Sequence, residues 1–208
     1  VYAPRSANAE GSPDADDRPA MTRGRALLLS VLDAYATPGD TVSPHAAHNL
    51  AFLVQGAGED LRLTFEPGTY GLRAAGLTAV LRRIEGAFIA GYDPSHQDSS
   101  FRLRPPAVGV ARDTLSDHPT ASERLGRVRA LIEECDTPDT LELLATVGWL
   151  TRHDAQARRR PEAVVRAVQD WSRRKAERFA PAQIAAAWQR LHRHEWIGPG
   201  HPAGPEQP

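Results

Sequence analysis

Apolar residues recur every three to four positions along most of this chain, the spacing of helices that bury one face. Ala26, Leu27, Leu29, Val31, Leu32 and Tyr35 predict a helix from about Thr22 to Ala36, stopped by Thr37-Pro38-Gly39-Asp40. Ser43-Pro44 reads as an N-cap followed by a first-turn proline, and the helix it opens turns Ala47, Leu50, Ala51 and Val54 inward and ends at Gly56. A longer helix is predicted from Tyr70 to about Ala90, with Leu77, Val80, Leu81, Ile84 and Phe88 on one stripe. Shorter ones follow over Val108 to about Asp117 and over Ala121 to Cys135. Thr137-Pro138 opens another that runs to His153, and Pro161 and Pro181 begin the last two.

The period changes to two at Leu61, Leu63 and Phe65, which alternate with Arg62, Thr64 and Glu66. That is the pattern of a half-buried strand, broken by Pro67-Gly68, and Phe101 to Arg104 is a candidate strand to pair with it. The expected fold is therefore mostly α, of the α+β class, with seven to eight helices and one small antiparallel hairpin or sheet. Residues 5–20 hold nothing apolar larger than alanine, so a mobile linker is expected there, behind a strand-like remnant at Val1 to Pro4. Gly198 to Pro208 is mainly Gly, Pro, His and Ala and is expected to be disordered. One helical domain over 21–197 is left between 1–20 and 198–208.

Charge adds a second layer. The net charge of −1 hides a balance of −6 over residues 1–151, where 14 arginines face 20 carboxylates, and of +6 over 152–197, where 11 basic residues face 5 acids. Cys135 is the only cysteine, so no intrachain disulfide forms. No apolar run approaches the roughly 20 residues that cross a bilayer, and the first residues lack the pattern of a signal peptide. A cytoplasmic protein with no membrane association is expected.

The search for chemistry finds little. His45 and His48 share a helix face, but no third ligand stands at a matching offset, and His192 and His194 point to different faces. There is no Gly-x-Ser-x-Gly, no Gly-x-Gly-x-x-Gly and no Gly-Lys-Ser/Thr phosphate loop, and Cys135 sits among acids. The expectation is of no catalytic residue, no metal, no cofactor and no enzyme. Two charged runs remain as binding candidates. Glu133, Glu134, Asp136, Asp139 and Glu142 cluster at a helix junction, and Glu59, Asp60 and Glu66 flank the predicted strand. Such acids can imitate a nucleic-acid backbone towards a basic partner, or simply cap helices in water. Arg158, Arg159, Arg160, Arg173, Arg174, Lys175 and Arg178 offer the opposite surface, suited to direct DNA binding by a regulator or to the cationic ends of helices.

One stretch carries more than pattern. Leu50-Ala51-Phe52-Leu53-Val54-Gln55, then Ala57-Gly58-Glu59-Asp60-Leu61-Arg62-Leu63-Thr64-Phe65-Glu66, then Gly68-Thr69-Tyr70-Gly71 resembles the C-terminal domain of the DarG antitoxin family. The resemblance continues through Leu81-Arg82-Arg83-Ile84-Glu85-Gly86 and Leu141-Glu142-Leu143-Leu144-Ala145-Thr146-Val147-Gly148-Trp149, and ends near Trp171, Lys175, Phe179, Trp188, Trp196 and Ile197. It departs at Leu72-Arg73, where the family has proline and an aromatic residue. The resemblance implies an antitoxin-type interaction domain that occupies the DNA site of a DarT-like DNA ADP-ribosyltransferase toxin, with any mimicry of DNA local. It also implies that the family's glycohydrolase activity resides in a macrodomain outside this chain.

Overall fold

Helices α2 (Pro44–Gly56) and α6 (Pro138–His153) are buried along most of their length, and the other elements pack around them. The computed structural model describes residues 19–37, 40–96 and 99–197; nearly all of the linker expected over 1–20, and the whole tail expected over 198–208, lie outside the described residues. Leu50 and Leu53 of α2 and Leu141 and Leu144 of α6 are no more than 1% exposed. Each such side chain contributes roughly 1.5–3 kcal/mol on burial. Gly148 faces the Phe52 ring across this seam, at a distance where a Cβ would sit 3.4 Å from it.

Helices α1 (Arg23–Tyr35), α4 (Pro105–Ser116) and α5 (Pro119–Ile132) form the N-terminal flank, with α1 packed on α2, α4 and α5. On the other side α8 (Pro161–Trp171) and α10 (Pro181–Arg193) pack on α6 and on each other. The helix starts follow from side-chain caps. Thr22 accepts from Arg25 N–H, Ser43 from Ala46 N–H and Thr137 from Thr140 N–H. With ten helices among the described residues and small antiparallel strand pairs, the fold is of the mostly helical α+β class that the pattern predicts. No helix among the described residues is long and apolar enough to cross a membrane.

Four local expectations are corrected. Residues 61–65 alternate in burial as a strand would, yet no strand among the described residues pairs with them. The Gln55 side chain takes that role: its Nε2 donates to Leu63 O at 2.9 Å and its Oε1 accepts from Leu63 N–H at 3.0 Å. The hairpin lies one step later, where β1 (Glu66–Gly68) pairs with β2 (Gly71–Arg73). The segment at Phe101 bonds elsewhere, Phe101 bridging Val42 while β4 (Arg102–Leu103) pairs with β3 (Ile89–Ala90).

The third correction shortens the helix expected from Tyr70 to Ala90 to α3 (Ala75–Ile84), because the backbone has positive φ at Gly71 and at Gly86. The fourth concerns the C-terminal third. Asp154 accepts from Gln156 N–H and starts the short α7 (Ala155–Arg159), while Ser172 breaks α8 and caps α9 (Arg173–Arg178). Residues with short polar side chains bond neighbouring backbone and so divide helices that an apolar stripe alone would join.

The hairpin is held by α2. Asn49, 2% exposed, accepts from Leu72 N–H at 3.0 Å and donates to Tyr70 O at 3.3 Å. Gly71, at φ +100°, lies against it so closely that a Cβ would come within 2.3 Å of Asn49 Oδ1. Asn49→Ala leaves the buried Leu72 N–H without a partner and is expected to lower stability by about 1–3 kcal/mol. Gly71→Ala is expected to lower it further, since it adds the steric clash and the positive φ. Urea denaturation checks both.

Candidate functional site

The acidic run and the basic run, 30 to 40 residues apart in sequence, meet face to face. Glu142 projects from the first turns of α6 with its side chain 6% exposed. Arg174 clasps both its oxygens, at 2.7 and 3.1 Å, and Lys175, wholly buried, reaches it at 2.5 Å. Lys175 Nζ also donates to Thr146 Oγ1 at 3.3 Å and stands over the rings of Trp171 and Phe179, 5.3 and 5.7 Å from their centroids. Burial pushes the Lys175 ammonium below its ordinary value, and the hydrogen bond and charge of Glu142 oppose that. The Glu142 bond is the first cause of the opposite shift at Arg174, which is raised. Nearer the surface Arg178 pairs with both carboxylate oxygens of Asp139, with Nε at 3.1 Å from Oδ1.

Beside this clasp a groove of about 920 Å³ runs between Ser43, His45 and Asn49 of the α2 start, Asp139 and Glu142 of α6, and Arg174, Arg178 and Phe179. A second groove of about 660 Å³ follows the hairpin past Glu66, Arg73 and Trp171. Tyr70 and His45 line both grooves, so Tyr70 forms the ridge between them. Tyr70 is 41% exposed, with the Arg174 guanidinium over its ring at 4.4 Å and the His45 ring at 4.7 Å. The turn that Asn49 grips therefore also aims this tyrosine outward. His48, next in the helix, faces inward; its Nδ1 accepts from Ala74 N–H at 3.1 Å. Burial, helped by the charges of Arg73 and His45, pushes its pKa down to about 4, so the ring is neutral. Among the described residues no three His, Cys, Asp or Glu side chains are grouped to hold a metal ion.

The predicted site residues divide sharply. Glu59 is buried, held by Arg23 at 2.6 Å and Arg124 at 3.0 Å, and Glu142 is buried in the clasp, so these two carboxylates serve the fold. Asp139 is engaged by Arg178, Asp60 by Arg62 at 3.3 Å, and Glu134 loosely by Arg190 at 3.7 Å. Glu66, Glu133 and Asp136 stay exposed, and of these Glu66 lies in the hairpin groove beside Tyr70. Of the basic set, Arg174, Lys175 and Arg178 are neutralised by acids and Arg173 pairs with Glu177 at 2.7 Å. Arg158 donates to Thr151 O at 2.9 Å, which leaves Arg159 and Arg160 as its exposed members with no ion pair among the described residues. Tyr70 was legible only as a helix start. Its signal was the following glycine, which ends helical φ before a helix can begin.

No protein-family model matches the sequence. Curated relatives do. A DNA ADP-ribosyl glycohydrolase of Thermus aquaticus is 36% identical over 159 residues, which cover 76% of this chain and 44% of that protein. The chain is a homologue of DNA ADP-ribosyl glycohydrolases. Proteins of the same name from Mycobacterium bovis and Mycobacterium tuberculosis are each 27% identical over 192 residues, covering 82% of this chain and 53% of theirs. The chain thus spans about half the length of the curated glycohydrolases it matches. Their name is that of an enzyme, and a match of 36% identity across 76% of the chain overturns the expectation that no enzyme is involved. That expectation rested on the lack of motifs for nucleophiles, metals and phosphate loops, which are only some of the ways a hydrolase is built, and on assigning the family's activity to a macrodomain outside this chain.

Two outcomes follow from the clasp and from His48. Glu142→Gln removes the negative charge and leaves the buried Lys175 ammonium with only neutral oxygen acceptors, and is expected to cost about 3–5 kcal/mol in urea denaturation. Lys175→Met, which leaves Arg174 on Glu142, costs less, and the double variant recovers part of the Glu142→Gln loss. His48, with a folded pKa of about 4 against an ordinary 6.5, favours the fold fully only above the unfolded value. As pH falls below 6.5 the unfolded chain takes up a proton that the folded one refuses, so stability is lost towards pH 4. Between pH 7 and 5 the loss from this group is about 2 kcal/mol. His48→Asn, which keeps an acceptor for Ala74 N–H, is expected to flatten that part of the pH profile.

Proposed function

We propose that this chain works in the reversal of DNA ADP-ribosylation as the toxin-neutralising, C-terminal part of a DarG-type antitoxin in the bacterial cytoplasm. In this role it binds a DarT-like DNA ADP-ribosyltransferase and covers that protein's DNA site. The observation that carries the reading is Tyr70, an exposed aromatic ring braced by Arg174 on a ridge between two polar grooves. Rigid tyrosine and arginine side chains in such settings supply much of the free energy of protein interfaces. Glu66 in the adjoining groove, with Glu133 and Asp136 elsewhere on the surface, keeps carboxylates available for basic groups that otherwise hold phosphates. Mimicry of DNA on this scale is local, in keeping with a net charge of −1.

The sequence similarity supports the same setting, since the relatives are named for removing ADP-ribose from DNA. Their whole activity belongs to the proposal as well, and release of ADP-ribose from modified DNA is measured alongside binding. In co-expression with a DarT-like transferase the chain is expected to restore growth and to co-purify with it. Tyr70→Ala is expected to weaken the complex by at least about 30-fold, equivalent to about 2 kcal/mol, with little change in thermal midpoint. Val110→Ala, at the other large exposed apolar side chain among the described residues, is the control. A complex that Tyr70→Ala leaves intact removes the ridge from the reading. Failure to bind the transferase, with a steeply salt-dependent shift of free DNA instead, replaces it with direct DNA binding.

A further inference from the structure

The hairpin sets two opposite charges directly across from one another, and they do not meet. Glu66 of β1 and Arg73 of β2 are partners in register, so their side chains share one face of the strand pair. A carboxylate and a guanidinium so placed ordinarily attract and join. Neither side chain, however, forms an ion pair or a hydrogen bond among the described residues, and both residues are exposed. Gly68 makes room for this. A Cβ at that position would stand 3.1 and 3.2 Å from Cγ and Cδ of Arg73, so the arginine stem lies diagonally over the glycine, towards the turn and away from Glu66. Both residues line the hairpin groove of about 660 Å³, and they are the only Asp, Glu, Lys or Arg among the described residues that line it. The larger groove differs, since each of its carboxylates and arginines already has an oppositely charged partner: Asp139 with Arg178, Glu142 with Arg174, and Glu177 with Arg173. Of the two grooves beside Tyr70, the hairpin groove therefore holds the unanswered charge, and it holds both signs.

We propose that this groove receives a segment of the docking partner that bears charges of both signs, a basic side chain for Glu66 and an acidic one for Arg73. The proposal rests on docking at Tyr70 and extends it, because Tyr70 also lines this groove. A nucleic-acid strand is a poor match: its phosphates suit Arg73 but are repelled by Glu66, and it offers no cation to the carboxylate. A purely basic protein surface, of the kind that holds phosphates, meets the reverse difficulty at Arg73. Matched charges across an interface fix register and exclude wrong partners more than they add affinity. The contact thus reaches beyond the basic groups of a DNA site to at least one carboxylate of the partner, and it sets which way round the partner lies on the ridge.

The test is titration of a DarT-like transferase with the purified chain and its variants, at ~50 mM and ~500 mM salt. Arg73→Glu and Glu66→Lys are each expected to weaken the complex by about 10-fold at the lower salt, and the difference from the unaltered chain is expected to shrink at the higher. Neither residue has a bond to lose among the described residues, so thermal midpoints are expected to stay unchanged, which separates a lost contact from a lost fold. Imitation of DNA alone gives the opposite sign at one position: Arg73→Glu adds negative charge and would then tighten the complex. Reversal of one exposed carboxylate of the transferase to lysine is expected to restore binding of the Arg73→Glu chain. Tighter or unchanged binding of Arg73→Glu, full affinity in Glu66→Lys, losses that persist undiminished at high salt, or a scan of those carboxylates in which no reversal restores Arg73→Glu overturns the proposal and leaves docking at Tyr70 standing. No complex with the unaltered chain, whether or not free DNA is bound through Arg73, removes docking and the role of the groove together.

Discussion

A carboxylate buried in the first turns of α6 decides how the C-terminal third of this protein sits. Glu142 cannot remain in an apolar seam without cations, and α9 delivers two of them. To place Arg174 and Lys175 there, α8 must stop at Trp171 and α9 must restart from the Ser172 cap. Arg174 is then fixed well enough to brace Tyr70. The exposed ridge and the buried clasp are thus two ends of one side-chain chain, and the ridge owes its rigidity to the pairing of Arg174 with a largely buried carboxylate.

Much of the scaffold was legible in the sequence because its signals are local. Helices opened by Ser43-Pro44 and Thr137-Pro138 begin where those residues cap them. The alternation at residues 61–65 did record which side chains are turned inward, though the segment is no strand and Arg62 has a φ of +54°. What it pairs with was not legible, since the partner is the side chain of Gln55 and periodicity records only which face is apolar. The break at Gly71 was missed for a related reason: the stripe of Leu77, Leu81 and Ile84 extends smoothly towards it, while the positive φ is set by contact with Asn49.

The candidate site was harder to read than the fold. Two oppositely charged runs invite two opposite functions when each is considered by itself. Only the tertiary arrangement shows that Glu142, Asp139 and Glu134 answer Arg174, Lys175, Arg178 and Arg190. The surface left for partners is defined by subtraction, and its chief feature, Tyr70, carries no charge signal. Nothing in the sequence around Arg190 announces that two of its nitrogens are enclosed.

The carboxylate of Glu59 has a further bearing on assembly. It is enclosed between Arg23 of α1 and Arg124 of α5, one 36 residues before it and the other 65 after. Neither arginine is brought near by local chain geometry, so the carboxylate is answered only when both flanking helices have docked in their proper places. A collapsed chain with α5 misplaced would hold an enclosed negative charge with half its neutralising shell missing, a state that is heavily disfavoured. In this way a single acid acts as a proofreader of topology, and the N-terminal flank closes as one cooperative unit.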